Sequence, residues 1–402
     1  MSSLRDQFPS VVSGLAGTYL DNAATTQIAG PVLSRMAVFE TGGRSNVKRG
    51  IYPLAINATE AFDAARASVV RYLGATDATG LIFTSNATAA INLVAHGMGA
   101  GLAAGDEIII GEGEHHANIV PWQMLRDRQG VALKVLPVDD AGYPMIDALD
   151  ELITPRTRLI AVTHASNVTG AVTDVHALVE RAKGLAPDVR VLVDGAQMAP
   201  HGPLDVSALG CDFYVITGHK MFGPTGVGAL WARAGVLDGM APFMGGGEMI
   251  QRVTFDETLY APPPHRFEAG TPPVTQAIGL GAAADFLYGQ DWQEIRTQEQ
   301  VLTGMLMERL AKHDRITVIG PGDNGRRLPI LSFVVKGAHP HDLCELMGAR
   351  NVALRGGHHC AQPLMDRFGV DATTRASLAI YTEQADINAF ADALDHALEV
   401  LL

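Results

Sequence analysis

Short aliphatic segments that alternate with helical patterns constrain the fold of this chain more than any other feature. Segments rich in β-branched and aliphatic residues occur at 81–84, 107–110, 132–136, 159–163, 189–193 and 213–216. Apolar residues with helical spacing occur at 58–72, 88–96, 118–129 and 175–186. Strands that alternate with helices predict a mostly parallel sheet that helices cover on both faces. Ligands of such sheets bind beyond the carboxyl ends of the strands, so we expect an α/β fold with its functional residues there.

The length of 402 residues predicts two domains, because a single core rarely grows beyond about 250–300 residues. Later helical and strand patterns occur at 275–313, 316–319, 328–335, from 341 onward and at 385–401. We place the parts of the chain as follows: a large domain at 20–265, an interface loop and connecting helix at 266–289, and a smaller α+β C-terminal domain at 290–402 with an N-terminal arm at 1–19. The segment 243–273, rich in Gly and Pro, is expected to be a connection or an interface loop.

Composition excludes several classes of partner. The net charge of −13 argues against nucleic acid and anionic membranes, which require clustered Lys and Arg. The start of the chain lacks the apolar core of a signal peptide, and no later run approaches the roughly 18 to 20 apolar residues that span a bilayer. Three cysteines without a C-x-x-C pair indicate a reducing compartment, so we expect a cytoplasmic protein.

Two of the predicted strands end in a lysine and in a carboxylate. Residues 213–216 run into Thr217, Gly218, His219 and Lys220. Lys220 alone is either a solvated surface charge or a nucleophilic amine whose pKa is lowered by desolvation. The strand at 189–193 ends in Asp194. Because pyridoxal phosphate (PLP) needs a lysine that forms an imine and a carboxylate that pairs with its pyridinium nitrogen, we hypothesise a PLP enzyme.

Polar residues follow two other predicted strands. Residues 84–88 (Thr-Ser-Asn-Ala-Thr) lie between a strand and a helix, where they could bind a phosphate or simply form an N-cap. His115 and His116 follow the strand at 107–110 and could begin a helix, bind a metal or stack on a planar cofactor. Adjacent histidines cannot readily face one ion, so we expect no metal site.

A second unusual stretch lies near the end of the chain. Residues 355–363 read Arg-Gly-Gly-His-His-Cys-Ala-Gln-Pro. Cys360 is flanked by imidazoles and close to a helix start, which favours a thiolate, although a buried free cysteine is the alternative. Arg375 could bind a carboxylate with two hydrogen bonds or be an ordinary surface arginine.

Together these motifs resemble the class V aminotransferase family of fold-type I PLP enzymes, and within it the group II cysteine desulfurases of the SufS type and selenocysteine lyases. The most specific match is 355–365, which is similar to the cysteine loop of that group; the motifs at 217–220, 194–197 and 266–271 support it in the expected order. The resemblance covers almost the whole chain. It implies a seven-stranded, mostly parallel sheet in the large domain.

The resemblance also implies roles for individual residues. Those implied for the cofactor are Lys220 as its covalent attachment, Asp194 at the pyridine nitrogen, Gln197 as a donor to the ring oxygen, His116 stacked on the ring, Thr88, Ala87, Thr217 and His219 at the phosphate, and Thr271 at the phosphate of the other subunit. Those implied for the substrate are Asn167, Arg375, Ala23 and Arg355. Lys220 and His116 are implied to be catalytic, and Cys360 is implied to be the nucleophile that accepts sulfur.

The activity implied is cysteine desulfuration, in which L-cysteine becomes L-alanine and sulfur passes to Cys360 as a persulfide for iron-sulfur cluster assembly or other sulfur trafficking. The implied partners are a second copy of the chain, in a homodimer with a shared active site, and a sulfur-acceptor protein of the Suf type. One alternative is a selenocysteine lyase acting on L-selenocysteine, which could proceed without Cys360. Another is a different class V activity: aminotransferase, epimerase or C–S lyase. A carrier or scaffold without catalysis is disfavoured, because Lys220, Asp194 and Cys360 are all present.

The sequence departs from the family pattern at three places. Lys48 replaces the histidine of Asn-Val-His-Arg-Gly. Residues 85–89 read Ser-Asn-Ala-Thr-Ala where the family has Arg-Gly-Thr-Thr-Glu. Pro273 replaces an asparagine in the interface loop. These changes lie around the substrate pocket and the dimer rim.

Overall fold

A computed structural model describes residues 4–322 and 326–402. The strands are β1 Thr18–Tyr19, β2 Leu81–Thr84, β3 Glu107–Gly111, β4 Ala132–Leu136, β5 Thr157–Thr163, β6 Arg190–Asp194, β7 Phe213–Thr217, β8 Gly228–Ala232, β9 Ile250–Val253, β10 Thr258–Tyr260, β11 Ile316–Ile319, β12 Ile330–Val335, β13 Val352–Ala353, β14 Arg355–Gly357 and β15 Thr373–Ser377. The helices are α1 Pro9–Val12, α2 Gly30–Thr41, α3 Pro53–Tyr72, α4 Ala87–Gly99, α5 Val120–Gln129, α6 Leu149–Leu152, α7 Val175–Leu185, α8 Val206–Leu209, α9 Val274–Tyr288, α10 Trp292–Ala311, α11 Pro340–Ala349, α12 Gln362–Phe368 and α13 Gln384–Leu401. Within the described ranges no helix combines the length and apolarity needed to cross a membrane.

The larger sheet has seven strands in the order β2-β8-β7-β6-β5-β3-β4. β8 runs antiparallel to both of its neighbours, and the other pairs are parallel, which confirms the predicted α/β fold with a mostly parallel seven-stranded sheet. The sequence did not predict β8, whose start at Gly228 lacks a side chain. A Cβ atom there would lie 2.7 Å from the Ile216 carbonyl oxygen, so close strand packing requires the glycine.

Helices cover both faces of this sheet. One buried cluster contains apolar residues of α3, α7 and α9, and a second contains residues of α4 and α5. α3 and α9 approach closely because Gly281 faces Ala65, where a Cβ atom would lie 2.5 Å from the Ala65 Cα. Each large apolar side chain buried in this way contributes roughly 1.5–3 kcal/mol. The packed sheet therefore gives the loops at its edge a rigid base.

The smaller sheet is antiparallel, with the order β11-β12-β15-β14. Its core contains residues of α10, α11 and α13. α10 belongs to both cores, since Trp292 and Ile295 pack in the first while Leu302 and Leu306 pack in the second. The division of the chain at 265 and 290 stays a prediction.

Two irregular regions differ in detail from the sequence patterns. The helical region predicted at 275–313 consists of α9 and α10, because the Asp291 carboxylate caps α10 by accepting from the Gln293 and Glu294 N–H groups. The segment 243–273 contains the antiparallel hairpin β9–β10, whose turn carries the fully exposed Phe255. The side chains of this hairpin are mostly exposed rather than packed in the core, which is typical of an interface loop.

Candidate active site

Most of the predicted functional residues line one cavity of about 350 Å³ at the carboxyl ends of β5, β6 and β7. The predicted residues that line this cavity are Ala23, Ala87, Thr88, Asn167, Asp194, Gln197, Thr217, His219, Lys220, Arg355, Cys360 and Arg375. His116 and Thr271 are not among its lining residues. The lysine, the carboxylate and the thiol therefore face a common space.

Lys220 projects from a tight turn that follows β7. The turn Gly218–Lys220 is a 3-10 helix, and the His219 carbonyl oxygen accepts a hydrogen bond from the Thr26 N–H at 2.9 Å, which fixes its position. Burial lowers the pKa of Lys220 to about 8, although the nearby Asp194 carboxylate opposes that shift. Burial also lowers the pKa of His219, to about 4, so this imidazole is neutral. The site thus holds an amine whose proton is easily exchanged.

Asp194 ends β6 and is buried at the base of the cavity. One of its carboxylate oxygens accepts from the Ala196 N–H at 3.0 Å. Burial raises the pKa of Asp194, because a charged carboxylate is costly away from water. The next residue must be Gly195, since a Cβ atom there would lie 2.1 Å from the Tyr214 ring. A buried carboxylate in this setting is stabilised by a cationic partner.

The N-terminus of α4 forms the opposite end of the cavity. Thr88 lies in its first turn, and the Asn86 side chain caps the helix by accepting from the Ala89 N–H at 2.8 Å. The Thr217 hydroxyl is buried and has no hydrogen-bond partner within residues 4–322 and 326–402. A helix N-terminus beside an unsatisfied hydroxyl favours an anion. Ala87 has no side-chain hydroxyl, so only its backbone in the first turn of α4 can take part.

This set of groups fits PLP. The buried carboxylate suits a pyridinium nitrogen, the amine suits an aldehyde carbon, and the helix N-terminus suits a phosphate. Gln197 also faces the cavity, where its Nε2 donates one hydrogen bond to the Ala23 carbonyl oxygen at 2.8 Å. The second hydrogen on Nε2 can reach a ring oxygen. Together these groups complement the ring nitrogen, the aldehyde, the ring oxygen and the phosphate.

The two adjacent histidines have different surroundings. His115 lines the cavity, its Nδ1 accepts from the Ala117 N–H at 3.1 Å, and burial with the nearby Lys220 lowers its pKa to about 4. His116, which the resemblance places on the cofactor ring, instead contacts the cysteine loop through Cys360 and Gln362. The sequence could not distinguish two identical neighbours, because only the path of the backbone decides which ring faces the cavity.

Glu114 was not singled out from the sequence. Its Oε1 accepts from the Thr163 N–H at 2.8 Å and its Oε2 from Asn118 Nδ2 at 2.6 Å. Burial raises the pKa of Glu114 to about 8, and the neighbouring Asp194 contributes to the shift. This carboxyl group therefore fastens the turn that carries His115 to the end of β5.

A buried arginine of β15 lines the cavity. Arg375 is 2% exposed and sits in the middle of β15. Its Nη1 donates to the Asn167 carbonyl oxygen at 2.8 Å, and its Nη2 donates to Asp21 at 3.2 Å. Arg355 pairs with the same carboxylate at 3.0 Å. Arg375 Nε is buried with no partner among the described residues, so one donor remains for a carboxylate ligand.

Asp21 is a second residue that sequence reasoning missed. It lies in the loop after β1, and neighbouring residues gave no sign that it meets two arginines from the end of the chain. A buried arginine does require a nearby carboxylate. That requirement alone points to an acid in one of the loops at the sheet edge.

The cysteine loop has a strained backbone. His359 and Cys360 have φ values of 53° and 55°, both in the left-handed region. Non-glycine residues in this region cost of order 1–3 kcal/mol each and persist only where their surroundings hold them. The Cys360 side chain is exposed at the mouth of the cavity, whereas Cys211 is buried. Cys344 is only partly exposed, so the most accessible thiol of the three is the one that lines the cavity with Lys220.

Two family departures lie away from the cavity. Thr271 lines a separate surface cavity of about 560 Å³ together with Asn46 and Pro273. Lys48 has a φ of 75°, and its Nζ lies 2.9 Å from Nδ1 of His265. Both regions contact the segment that precedes the hairpin β9–β10, because Arg49 pairs with Glu248 at 2.7 Å and the Gly270 N–H donates to the Gly247 carbonyl oxygen at 2.9 Å.

Comparison with known proteins places this architecture in a family. The model of the aminotransferase class-V family matches residues 18–390. The chain is 43% identical to a probable cysteine desulfurase of Xylella fastidiosa over 97% of this chain and 94% of the relative, and 42% identical to one of Streptomyces coelicolor over 98% and 96%.

Solved structures agree with the sequence comparison. The cysteine desulfurase CsdA of Escherichia coli superposes with a TM-score of 0.92 at 38% identity, over 99% of this chain and 98% of that one. The apo cysteine desulfurase of Thermococcus onnurineus gives 0.94 at 32% identity, over 100% and 99%. With a matching family model, close relatives along the whole length and a cavity that fits the cofactor, the chain belongs to the class-V aminotransferase family of PLP-dependent enzymes.

Proposed function

We propose that this protein is a cysteine desulfurase, which converts L-cysteine to L-alanine and passes the sulfur to Cys360. The observation that carries the proposal is the single cavity lined by Lys220, Asp194, Arg375 and Cys360. The similar proteins named cysteine desulfurases support it. The exposed Cys360 thiol at the mouth of the cavity favours sulfur chemistry over the other reactions considered for this family.

The residues that would hold PLP come from four segments of the cavity. Lys220 would bond its aldehyde carbon, Asp194 its ring nitrogen and Gln197 its ring oxygen. The residues proposed for the phosphate are Thr88, Ala87, Thr217 and His219. We assign the face of the ring to His115, because this imidazole lines the cavity. The chemistry that PLP supplies when bound is stabilisation of negative charge next to the amino group of the substrate.

The protein's own groups bind the substrate and move its protons. Arg375 Nε, together with Arg355 and the Asn167 and Ala23 walls of the cavity, would hold the substrate carboxylate. Lys220 Nζ would take the proton from Cα and later return one. Its pKa of about 8 suits both directions near neutral pH.

The sulfur step requires the thiolate of Cys360. Its Sγ attacks the substrate sulfur, a sulfur–sulfur bond forms, and the substrate C–S bond breaks with its electron pair left on carbon. That carbon takes up a proton and becomes the methyl group of alanine. The two sulfur atoms are together oxidised by two electrons, and Cβ is reduced by two. No external oxidant is needed, and the products are L-alanine and a persulfide on Cys360.

We further propose that the active enzyme is a homodimer in which Thr271 reaches the phosphate site of the partner. Thr271 lies outside its own chain's cavity and is exposed. The N–H of the preceding Gly270 donates to the Gly247 carbonyl oxygen at 2.9 Å, shortly before the exposed apolar hairpin around Phe255. Exposed apolar surface of this kind marks an interface. Light scattering of the purified holoenzyme should give twice the mass of one chain, and a monomer with full turnover would contradict the shared site.

The persulfide must leave Cys360, so we propose a sulfur-acceptor protein of the Suf type and a role in iron-sulfur cluster assembly. All three cysteines are free in the fold, and a thiol nucleophile requires reducing conditions. The proposed location is therefore the cytoplasm.

The test measures alanine and sulfide released from L-cysteine, with and without a reductant. We expect alanine in both conditions and sulfide mainly with the reductant, because the reductant discharges the persulfide. The variant Cys360→Ser should retain the absorbance of bound PLP and lose more than about 100-fold in turnover, the scale seen when a nucleophile is removed. Full turnover of this variant on L-cysteine, or a keto acid as the product, would refute the proposal. Wild-type enzyme that turns over L-selenocysteine but releases no alanine from L-cysteine would support the lyase alternative.

A further inference from the structure

The two strained residues of the cysteine loop are each held through their carbonyl oxygens. Asn167 Nδ2 donates to the His359 carbonyl oxygen at 2.7 Å, and the His116 N–H donates to the Cys360 carbonyl oxygen at 2.7 Å. Both donors belong to segments that follow strands of the large sheet. The conformation of Cys360 therefore depends on contacts with the rigid sheet edge as well as on a bond within the loop, in which the Cys360 N–H donates to His358 Nδ1 at 3.2 Å.

The side chain of His116 holds the other side of the same turn. Its Nε2 accepts from the Gln362 N–H at 3.2 Å. Gln362 is the first residue of α12, and N–H groups in a first helical turn have no partner within the helix. The His116 ring also lies 5.7 Å from the ring of His358, at an interplanar angle of 36°. His116 thus contacts residues on both sides of Cys360.

We propose that His116 is a positioning residue for Cys360, acting through its Nε2 acceptor, rather than a residue that stacks on the cofactor. This inference rests on the proposed desulfurase function. The neutral ring is required because a protonated Nε2 cannot accept a hydrogen bond. Burial lowers the pKa of His116, and the neighbouring His358 adds to the shift, so the ring is neutral at physiological pH.

The substitution His116→Ala removes the acceptor but keeps the backbone hydrogen bond to Cys360. The substitution His116→Gln is the matched control, because Oε1 of glutamine extends about as far as Nε2 of histidine and also accepts. Desulfuration needs the thiolate of Cys360 within reach of the substrate sulfur. Release of selenium from L-selenocysteine can proceed without Cys360 and so reports on the cofactor site alone.

The experiment measures turnover of both substrates by the wild-type, His116→Ala and His116→Gln holoenzymes. We expect His116→Ala to lower kcat for L-cysteine about tenfold, equal to about 1.4 kcal/mol, with KM and selenocysteine turnover nearly unchanged. His116→Gln should restore most of kcat. His115→Ala, in contrast, should lower the turnover of both substrates and shift the absorbance of bound PLP.

A second readout is independent of turnover. The rate of Cys360 alkylation by iodoacetamide, followed by mass spectrometry of its peptide, should change about threefold or more in His116→Ala, because this thiol is already exposed and its reactivity depends on where the loop holds Sγ relative to the surrounding charges. His116→Gln should alkylate like the wild type. If wild-type enzyme fails to desulfurate L-cysteine, the proposed function is wrong, but this rate still tests the positioning role.

Two results would overturn the inference. One is an equal loss on both substrates in His116→Ala together with an altered PLP absorbance, which would place His116 on the cofactor. The other is an unchanged alkylation rate and unchanged kcat. Should His116→Ala fail to fold, His116→Asn replaces it, because its acceptor is too short to reach Gln362 and the same outcomes apply.

Discussion

Asp21 provides the sharpest test of the charge balance in the cavity. Its carboxylate pairs with Arg375 at 3.2 Å and with Arg355 at 3.0 Å. The Arg375 side chain is 2% exposed and that of Asp21 is 13% exposed, so this pair is buried, whereas Arg355 is half exposed. The substitution Asp21→Asn leaves a hydrogen-bond acceptor but removes the charge that Arg375 requires.

The expected cost follows from these exposures. Removing one partner of a buried ion pair costs about 3–5 kcal/mol, and the retained amide oxygen puts Asp21→Asn near the lower end, at about 3 kcal/mol. An unfolding entropy of about 2.1 cal/mol/K per residue over 402 residues gives roughly 0.84 kcal/mol/K. The expected fall in Tm is therefore about 3–4 °C. The control Arg355→Gln breaks only the exposed pair and should cost less than about 1 kcal/mol.

The assay is thermal unfolding of the wild-type, Asp21→Asn and Arg355→Gln holoenzymes. The first two are also measured with L-alanine, the expected product. Its carboxylate supplies the charge that Asp21→Asn lacks, so alanine should raise the Tm of the variant more than that of the wild type. Equal stability of Asp21→Asn and wild type would refute the argument. So would a loss in Arg355→Gln as large as that in Asp21→Asn.

Two further predictions concern Glu114 and Gly195. Burial raises the pKa of Glu114 from 4.5 in the unfolded chain to about 8 in the folded protein. The folded state therefore binds this proton more tightly, so the stability that the proton contributes is complete below pH 4.5 and is lost as the pH rises from 4.5 to about 8. The free energy of unfolding, measured with urea, should fall more for wild type than for Glu114→Gln when the pH is raised from 5.5 to 8.5. An equal fall in both proteins would contradict this. Gly195→Ala should abolish the folded holoenzyme, because its Cβ would meet the Tyr214 ring at 2.1 Å. The control is Gly184 in α7, where an added Cβ atom would meet no atom within 4 Å, so Gly184→Ala should stabilise the protein by about 0.5–1 kcal/mol and raise its Tm. A folded Gly195→Ala with the wild-type Tm would show that the packing argument is wrong.

The sequence predicted those parts of the fold that local periodicity controls. The aliphatic segments at 81–84 and 132–136 coincide with β2 and β4, and the segment at 213–216 ends one residue before β7 does. β8 was missed because its start is glycine and its position depends on contact with β7 and β2, not on its own pattern. Local patterns therefore predict an element, whereas its partners are a property of the whole chain.

The same limit applies to the site. That Lys220, Asp194 and Cys360 meet in one cavity could be predicted, because each follows a recognisable segment and carries distinctive chemistry. The choice between His115 and His116 could not, because it depends on a turn that Glu114 fastens from below. Asp21 was missed for a similar reason, since its two arginine partners lie more than three hundred residues later in the chain.

The sharing of α10 between the two cores has a mechanical consequence. A continuous helix resists bending, so the two sheets cannot swing apart around a free linker at this point. Access to the cavity then depends on motion of short surface segments, which occurs in nanoseconds to microseconds, rather than on slower rotation of whole domains. A substrate as small as one amino acid can pass through an opening of that size, and the persulfide proposed for Cys360 would be offered to an acceptor while the scaffold around the lysine stays still.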